Sequence, residues 1–491
     1  MVFSSLTFLF LYLPLTLLVY FLSPLRWRNF VLLVVSLLFY GWGEPVYIVI
    51  MFLSIIIDYT HGLLVEKFRS DDKKARWFVA QSVIFNLALL GFFKYWDFIA
   101  ANLSLIPGID LPQLGIPLPI GISFYTFQTM SYTIDVYRKD APVQRNMVDF
   151  GAFVTMFPQL IAGPIVQYKT VAADLRHRLH TSENFALGAR RFCVGLAKKV
   201  LLADSLAPAA DAVFHAAAQG LPLSTAEAWL GALSYTFQIY FDFSGYTDMA
   251  VGAALMLGLR LPENFAAPYK ATGIVDFWRR WHMTLGRWLH DCLYLPLGGS
   301  RHGRVRQYAN LLLTMLVCGV WHGAGLTFLL WGALHGLLLL VNHAFRHLLR
   351  GSLAERVLAL PPLRALCVLV TFLCLTVAWV LFRAGDTGTA LHVWQSMFLW
   401  SDGHPLPLQQ GLEALLPGGL LEPRLLLPLL AVCTVIVWGL PCSQHVMLGR
   451  ADGSRPWLHW QPNLLWAVAL ALPALASLLL MQGHAFLSFR F

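Results

Sequence analysis

Charged residues are scarce in this chain of 491 residues. Asp, Glu, Lys and Arg together make up 12% of it, whereas hydrophobic residues make up 58%, and soluble globular domains carry about 25% charged residues. A soluble protein of this length needs a charged surface that this composition does not supply. High hydrophobicity also excludes a disordered chain. The composition therefore predicts a polytopic membrane protein, and the mean hydropathy of +0.63 agrees with it.

Several motifs of other protein classes are also missing. The seven cysteines form no C-x-x-C pair, so neither a zinc site nor a disulfide framework is indicated. G-x-S-x-G and H-E-x-x-H are absent, which disfavours serine and zinc hydrolases. A glycine-rich phosphate loop is absent as well, so the sequence shows no nucleotide-binding motif of that kind. The net charge of +9 is typical of the basic cytoplasmic loops of a membrane protein. We therefore predict no metal and no nucleic-acid partner.

Long apolar runs recur along the chain. A spanning helix needs about 20 mostly apolar residues, and this measure predicts about eleven spans. The first run, Met1 to Leu25, lacks both formal charge and a positive n-region, so we interpret it as a retained span and not as a signal peptide. The charge-free run from Gln307 to Phe345 has 39 residues. It is too long for one span and predicts a hairpin.

Two apolar segments, residues 112–134 and 150–168, are interrupted by proline and glycine. Proline removes a backbone donor and clashes with the preceding turn. Broken backbone at membrane depth persists only where it is buried in protein or lines a cavity. Each segment therefore predicts a re-entrant or kinked element around a cavity, with a simple kinked span as the alternative.

Positive charge alternates between successive loops. The basic clusters fall at residues 26–28, 67–76, 138–145, 190–199, 279–306 and 346–364. Loops of this kind are retained in the cytoplasm, and the loops between them carry almost no positive charge. The pattern predicts that the N-terminus, the C-terminal tail FLSFRF and the longest loop, roughly 384–424, lie on the opposite side of the membrane.

Histidines inside apolar runs are candidates for proton transfer near neutral pH. His322 lies in the segment GVWHGAG, where flanking glycines permit close approach of a ligand or another backbone. The alternative is a hydrogen-bonded packing histidine, with Gly319 and Gly323 forming a G-x-x-x-G helix-packing pattern. His335 and His343 lie further along the same run and are interpreted as structural or interfacial.

A second polar segment, Asp276–His282, alternates aromatic residues with arginines. Trp278 and Trp281 suit a membrane interface. Arg279 and Arg280 are able to bind the phosphates of a nucleotide-like donor, because guanidinium groups form paired hydrogen bonds with phosphate. The residues alone support the two interpretations equally.

Two carboxylates, Asp242 and Asp248, lie inside an apolar stretch. Each costs roughly 2.5–3.5 kcal/mol there by insertion scales, so each should face a polar cavity or find a partner. A structural ion pair is the favoured interpretation, with arginines such as Arg279 or Arg280 as candidate partners. A role as a catalytic acid is the alternative.

Short motifs also occur in a specific order along the chain. They are MVFSS (1–5), PLPIGISFYTFQ (117–128), FPQLIAGPI (157–165), YFDFSGYTDMA (240–250), ENF (263–265), DFWRRWHMTL (276–285), YLPLGGSR (294–301), WHGAG (321–325) and an aromatic tail. Over nearly the whole chain this order resembles the membrane-bound O-acyltransferase family, and most closely its bacterial alginate O-acetylase branch. The tail departs from the pattern at Ser488, where relatives often have tyrosine.

The resemblance implies a single integral-membrane acyltransferase domain over residues 1–491, with helices in a ring around a central tunnel. It implies that His322 is catalytic and that His282 is the second polar residue of the site. The residues then assigned to donor binding are Trp278, Arg279, Arg280 and Trp281. Those assigned to the tunnel, as polar or structural residues, are Asp242, Asp248 and Asn264.

The implied reaction is transfer of an acetyl group from a cytoplasmic donor, acetyl-CoA, to a hydroxyl, with no tightly bound cofactor. The protein would lie in a bacterial inner membrane with both termini in the periplasm. A periplasmic partner protein would pass the acetyl group to an exopolysaccharide, for which alginate is favoured. Alternatives are O-acetylation of cellulose or peptidoglycan, D-alanyl transfer to teichoic acid, an ion-coupled transporter and a non-catalytic scaffold.

Overall fold

The computed structural model describes residues 2–399, 423–449 and 454–481, and within these ranges it is helical and contains no strand. The helices of the first half are α1 Leu13–Leu22, α2 Arg28–Gly43, α3 Ile48–Lys67, α4 Asp72–Leu103, α5 Ile122–Arg138, α6 Met147–Thr155, α7 Phe157–Leu160, α8 Tyr168–Arg176, α9 Ser182–Ala197, α10 Asp204–Ala218 and α11 Thr225–Met256. Those of the second half are α12 Ile274–Trp278, α13 Met283–Leu289, α14 Gly303–His322, α15 Leu326–Leu349, α16 Leu353–Leu358, α17 Pro361–Arg383, α18 Thr387–Phe398, α19 Pro423–Thr434, α20 Ser443–Leu448 and α21 Leu464–Leu480. The predicted all-α class is confirmed.

Five helical stretches in the described ranges are long and apolar enough to cross a membrane. They are Ile48–Lys67, Asp72–Leu103, Ser182–Ala218, Leu326–Leu349 and Pro361–Arg383. Shorter apolar helices cover Phe8–Leu22, Leu425–Gly439 and Leu464–Leu480. The predicted count of about eleven spans is not confirmed.

The described chain divides into two compact units. The first contains residues 2–196 and 246–263, and the second contains residues 197–245 and the described part of 264–480. Helix α11 contributes its first part to the second unit and its end to the first. The prediction of one acyltransferase domain over residues 1–491 stays a prediction.

The two proline- and glycine-rich segments are broken, as predicted, and both belong to the first unit. Residues 111–119 have no regular structure before α5, and α6, α7 and α8 are separated by irregular backbone. Residues 150–168 are all buried, which shields their broken backbone from lipid. At the start of α5, Gly121 has a φ of 78°, and a Cβ there would lie 2.6 Å from the Leu160 carbonyl oxygen. The broken segments therefore pack directly on each other.

The charge-free run folds as the predicted hairpin, formed by α14 and α15 in the second unit. A Cβ on Gly319 would lie 2.3 Å from the Phe328 carbonyl oxygen, and one on Gly332 would lie 2.4 Å from the Met315 carbonyl oxygen. Only glycine permits this approach of two helix backbones. The helix-packing interpretation of Gly319 is thereby confirmed.

The prediction of a cytoplasmic loop at residues 190–199 is wrong. This segment lies inside the continuous helical stretch Ser182–Ala218, in which a π-helical turn, Lys198–Ala203, joins α9 to α10. Arg191 and Lys199 are 0% and 4% exposed. Their burial inside the protein is tolerated because both are ion-paired with buried carboxylates. Helix α18 occupies the start of the predicted loop 384–424; the rest of that loop and the tail with Ser488 lie outside the described residues.

Candidate active site

His322 is the last residue of α14, at the point where the hairpin turns. The next residue, Gly323, is extended, and α15 begins at Leu326. A Cβ on Gly323 would lie 2.2 Å from the Phe328 ring. Because residue 323 is a glycine, the Phe328 ring is able to pack against the turn. The His322 imidazole lies at a helix end and not in the middle of a span.

The His322 imidazole is half-buried and lies among aromatic rings. Its centroid is 4.8 Å from that of Trp321, 5.0 Å from that of Phe382 and 5.3 Å from that of Trp331. Phe328 also contacts Phe382, with 5.2 Å between their centroids. The rings come from both helices of the hairpin and from α17, so the tertiary packing holds the orientation of the imidazole.

His282 adopts a left-handed backbone conformation between α12 and α13, with φ 44° and ψ 52°. This conformation costs a residue with a side chain roughly 1–3 kcal/mol and is concentrated at functional sites. The residue is 2% exposed, and its Nδ1 has no hydrogen-bond partner in the described part of the chain. Burial lowers the pKa of His282 well below its ordinary value, so the imidazole is neutral at pH 7.

Asn264 supports this turn directly. Its carbonyl oxygen accepts a hydrogen bond from the Met283 N–H at 3.0 Å. Its Oδ1 accepts two from Thr284, one from the N–H at 3.2 Å and one from the hydroxyl at 2.6 Å. Three hydrogen bonds therefore hold the residues immediately after His282. Asn264 is a positioning residue here.

Trp321 adjoins both of the sequence-predicted histidines. The ring centroid of Trp321 is 6.2 Å from that of His282 and 4.8 Å from that of His322. Phe243 of α11 packs edge-on to His282 at 4.7 Å. The structure thus brings together two residues that are 40 positions apart in the chain.

A third histidine, His335, adjoins this cluster. It is fully buried, its Nδ1 accepts a hydrogen bond from Trp278 Nε1 at 3.3 Å, and its ring centroid is 4.6 Å from that of Trp331. Its Nε2 is buried and has no partner among the described residues. Trp281, by contrast, is packed in the core against Trp379, with 5.0 Å between their centroids.

The two arginines of the Asp276–His282 segment have different surroundings. Arg280 Nε is 2.8 Å from Asp276 Oδ1, one helical turn away. Arg279 is exposed, and both Arg279 and Arg346 interact electrostatically with His343 near the end of α15. Arg279 and Arg346 therefore contribute positive charge to the same end of α15.

The expected pairing of Asp242 and Asp248 with Arg279 or Arg280 is wrong. In the second unit, Asp242 Oδ1 is 2.8 Å from Lys199 Nζ. In the first unit, Asp248 accepts from Arg191 Nε at 3.0 Å. Both acidic residues are thus in ion pairs, as the structural interpretation required, but α9 and its continuation supply the cations.

Each ion pair includes a second carboxylate. Lys199 Nζ is 2.6 Å from Asp204 Oδ1, and Arg191 donates to both oxygens of Glu263 at 2.9 Å. Buried charges persist only when they are paired and hydrogen-bonded. The sequence reasoning missed both cations, although the pattern ARRFCVGLAKK inside an apolar stretch was a signal that they needed partners.

The arrangement in the second unit suits acid–base chemistry. It combines a half-buried imidazole at a helix end, a neutral buried imidazole in a strained turn, and an aromatic surround that limits water. No group of three or more His, Cys, Asp or Glu side chains suited to a metal ion occurs in the described ranges. The two imidazoles are the side chains of the described site that suit proton transfer.

The chain matches the membrane-bound O-acyltransferase family over residues 46–382. It is 45% identical over 406 residues to a probable alginate O-acetylase of Azotobacter vinelandii, covering 82% of this chain and 79% of that protein. It is 44% identical over 402 residues to a probable alginate O-acetylase of Pseudomonas aeruginosa, covering 81% and 75%. A peptidoglycan O-acetyltransferase of Helicobacter pylori is 38% identical over 429 residues, covering 81% and 80%. The chain therefore belongs to the membrane-bound O-acyltransferase family and is a multi-pass membrane acyltransferase.

Proposed function

We propose that this acyltransferase moves an acetyl group from cytoplasmic acetyl-CoA to a hydroxyl acceptor across the membrane, for O-acetylation of an exopolysaccharide, alginate. The observation that carries the proposal is the pair of histidines around Trp321. His322 ends a helix among aromatic rings, and His282 adjoins the same tryptophan. The likeness to alginate O-acetylases supports the choice of acetyl group and polymer.

His322 acts as the general base in the proposed reaction. A ring nitrogen accepts the proton of the acceptor hydroxyl as the hydroxyl oxygen forms a bond to the thioester carbonyl carbon. The carbon–sulfur bond then breaks, and the proton passes from His322 to the departing sulfur of coenzyme A. General base catalysis contributes about 10²–10⁴-fold, and fixed positions of donor and acceptor contribute further.

His282 is proposed to orient or polarise the thioester. A neutral imidazole is able to donate one hydrogen bond, and a donor directed at the carbonyl oxygen stabilises the negative charge that develops there. The strained turn and the three hydrogen bonds from Asn264 support this role. Asp242 and Asp248 act structurally, by keeping Lys199 and Arg191 paired.

The donor is proposed to enter past the segment Asp276–His282. Arg279 is exposed and is the better candidate to bind a phosphate of acetyl-CoA, whereas Arg280 already forms an ion pair with Asp276. Trp278 is half-buried next to Arg279 and is able to contact the donor. Trp281 is assigned to the wall behind it, where it packs on Trp379.

The proposed location is a bacterial inner membrane, with both termini in the periplasm. A central tunnel through the membrane would then connect a donor made in the cytoplasm with an acceptor for a polymer that is modified outside. The acceptor hydroxyl belongs to a periplasmic partner protein that passes the acetyl group to the polysaccharide. Reporter fusions at residue 1 and residue 491 test the orientation, and periplasmic activity at both is the expected result.

The test of the catalytic assignment is His322→Ala, with acetylated polymer measured in cells at matched amounts of membrane protein. We expect acetylation to be lost. His215→Ala is the matched control, because His215 is exposed on α10, a helix that carries none of the proposed site residues. Normal acetylation by His322→Ala would overturn the assignment and would favour a scaffold.

Purified protein with labelled acetyl-CoA distinguishes the enzyme from a transporter. Transfer or hydrolysis of the labelled acetyl group that depends on His322 supports the enzyme. Solute uptake into liposomes without acyl chemistry supports the carrier. Comparison of acetylated alginate, cellulose and peptidoglycan in cells with and without the protein tests the choice of polymer, and teichoic acid D-alanylation is measured in parallel.

A further inference from the structure

A cluster of basic side chains lies in the first unit, where α1 ends and α2 begins. Arg28 is the first residue of α2, and Arg178 and His180 follow α8 in the chain. They meet at Tyr20, near the end of α1. The charge pattern predicts that this end of α1 and α2 faces the cytoplasm, where anionic lipids concentrate.

Both guanidinium groups lie over the ring of Tyr20. The Arg28 Cζ is 5.1 Å from the ring centroid and the Arg178 Cζ is 5.4 Å from it, within the range of a cation–π interaction. Arg28 Nη1 is 3.0 Å from His180 Nδ1. The Tyr20 hydroxyl donates to the Leu257 carbonyl oxygen at 2.8 Å, which holds the ring in place.

No carboxylate within the described residues forms an ion pair with either arginine. Arg28 Nε reaches only the Ser23 carbonyl oxygen, at 3.4 Å, and Arg178 Nη2 donates to Asn29 Oδ1 at 2.5 Å. The nearby Asp149 accepts from the Asn29 amide at 2.7 Å instead.

The nearby charge of Arg28 disfavours the charged form of Arg178. The pKa of Arg178 is lowered by burial first and by Arg28 among the lesser causes. The Arg178 Nε is buried with no hydrogen-bond acceptor in the described chain. Two converging guanidinium groups with donors to spare form a site for an anion, because paired N–H donors match the geometry of a phosphate.

The rim of this cluster is apolar and exposed. Leu22 and Leu25 are 76% and 75% exposed, and Trp27 and Leu179 are 50% and 56% exposed. Apolar side chains of this kind beside a membrane-spanning helix are stable in contact with acyl chains, and tryptophan is enriched at the interface. The ligand must therefore combine a phosphate with hydrocarbon.

We propose that Arg28 and Arg178 bind the phosphate headgroup of an anionic phospholipid, with its acyl chains against the apolar rim, while His180 holds the Arg28 guanidinium in place. The site lies in a different compact unit from His282 and His322, and the inference does not depend on the acetyl-transfer proposal. The bound lipid neutralises the two arginines and ties the end of α1 to the segment that follows α8.

The test is retention of phosphatidylglycerol by the purified full-length protein, measured by native mass spectrometry against phosphatidylcholine. Wild-type protein is expected to retain phosphatidylglycerol selectively, and the R28Q/R178Q variant about 100-fold less, since each of the two arginines contributes at least one charge-assisted hydrogen bond and each such bond is equivalent to about a factor of ten. Arg26→Gln is the matched control, because Arg26 is exposed on the same segment and has no place in the cluster. Equal retention by R28Q/R178Q and wild type would overturn the proposal.

A second arm separates a lipid from a free phosphate. Phosphatidylglycerol is expected to raise the thermal stability of the wild type, and inorganic phosphate alone is expected to leave it unchanged. The full shift with inorganic phosphate, and none further with lipid, would overturn the lipid assignment. If R28Q/R178Q does not fold, Arg178→Lys keeps the charge and loses the guanidinium fork. It is expected to retain severalfold less lipid, and unchanged retention would refute the site.

Discussion

Replacing Asn264 with alanine tests whether the strained turn at His282 is needed for activity. The substitution removes the Oδ1 acceptor of two hydrogen bonds from Thr284 but leaves the backbone bond to Met283. At about 1 kcal/mol each, the two bonds stabilise the turn by about 2 kcal/mol. This is similar to the roughly 1–3 kcal/mol that the left-handed conformation of His282 costs.

Without those bonds, other conformations of the turn become populated. A loss of about 2 kcal/mol lowers the fraction with His282 in place by up to about 30-fold. Stability of the whole protein should fall by less than 2 kcal/mol, because alanine also removes Asn264 Nδ2, a buried donor with no partner among the described residues. Activity is therefore expected to fall further than the amount of folded protein.

The assay is acetylated polymer per amount of folded membrane protein, with the temperature of unfolding measured on the same preparations. Thr284→Val is the graded control, because it removes the hydroxyl bond to Asn264 and keeps the backbone N–H bond. It should reduce activity about fivefold, for about 1 kcal/mol. Wild-type acetylation per folded Asn264→Ala protein would refute the reasoning. So would a loss of acetylation that only matches a loss of folded protein.

Two further substitutions test the packing and the buried charges. Gly332→Ala should destabilise the protein by about 1–3 kcal/mol through overpacking of the hairpin, whereas Gly325→Ala should be neutral because its Cβ would meet its nearest neighbour at 3.6 Å; equal unfolding temperatures would contradict this. Removing Asp248 and Glu263 together should destabilise the protein by about 3–5 kcal/mol by leaving Arg191 buried and unpaired, and each single alanine variant should have a smaller effect. Protein levels in membranes check the second expectation, and equal effects of single and double variants would exclude it.

The hairpin and the broken segments were predictable because each depends on local properties of the chain. The run from Gln307 to Phe345 exceeds the thickness of a membrane, so it had to turn. Proline and glycine interrupt hydrogen bonding wherever they occur. The assignment of His282 and His322 to the site rests mainly on motif order and stays a prediction. Their shared proximity to Trp321 was not predictable, because it connects segments that are far apart in sequence.

The partners of the buried carboxylates were not predictable. Among pairs of adjacent arginines, Arg279 and Arg280 are the nearest to Asp242 in the chain. The residue that forms an ion pair with Asp242 is nevertheless Lys199. A charged residue in an apolar segment predicts that a counterion is present, but it does not predict which helix supplies that counterion. For the same reason, the charges at residues 190–199 were interpreted as a loop, whereas these residues lie in a helix.

The sequence by itself determined the membrane class, the all-helical fold and the family, because scarce charge, apolar run lengths and motif order are properties of the chain alone. The tertiary structure decided the environment of each polar group. It set the left-handed turn of His282, the three hydrogen bonds from Asn264 and the ion pairs of Lys199 and Arg191. These depend on which distant segments come into contact, and burial makes each of those contacts energetically large.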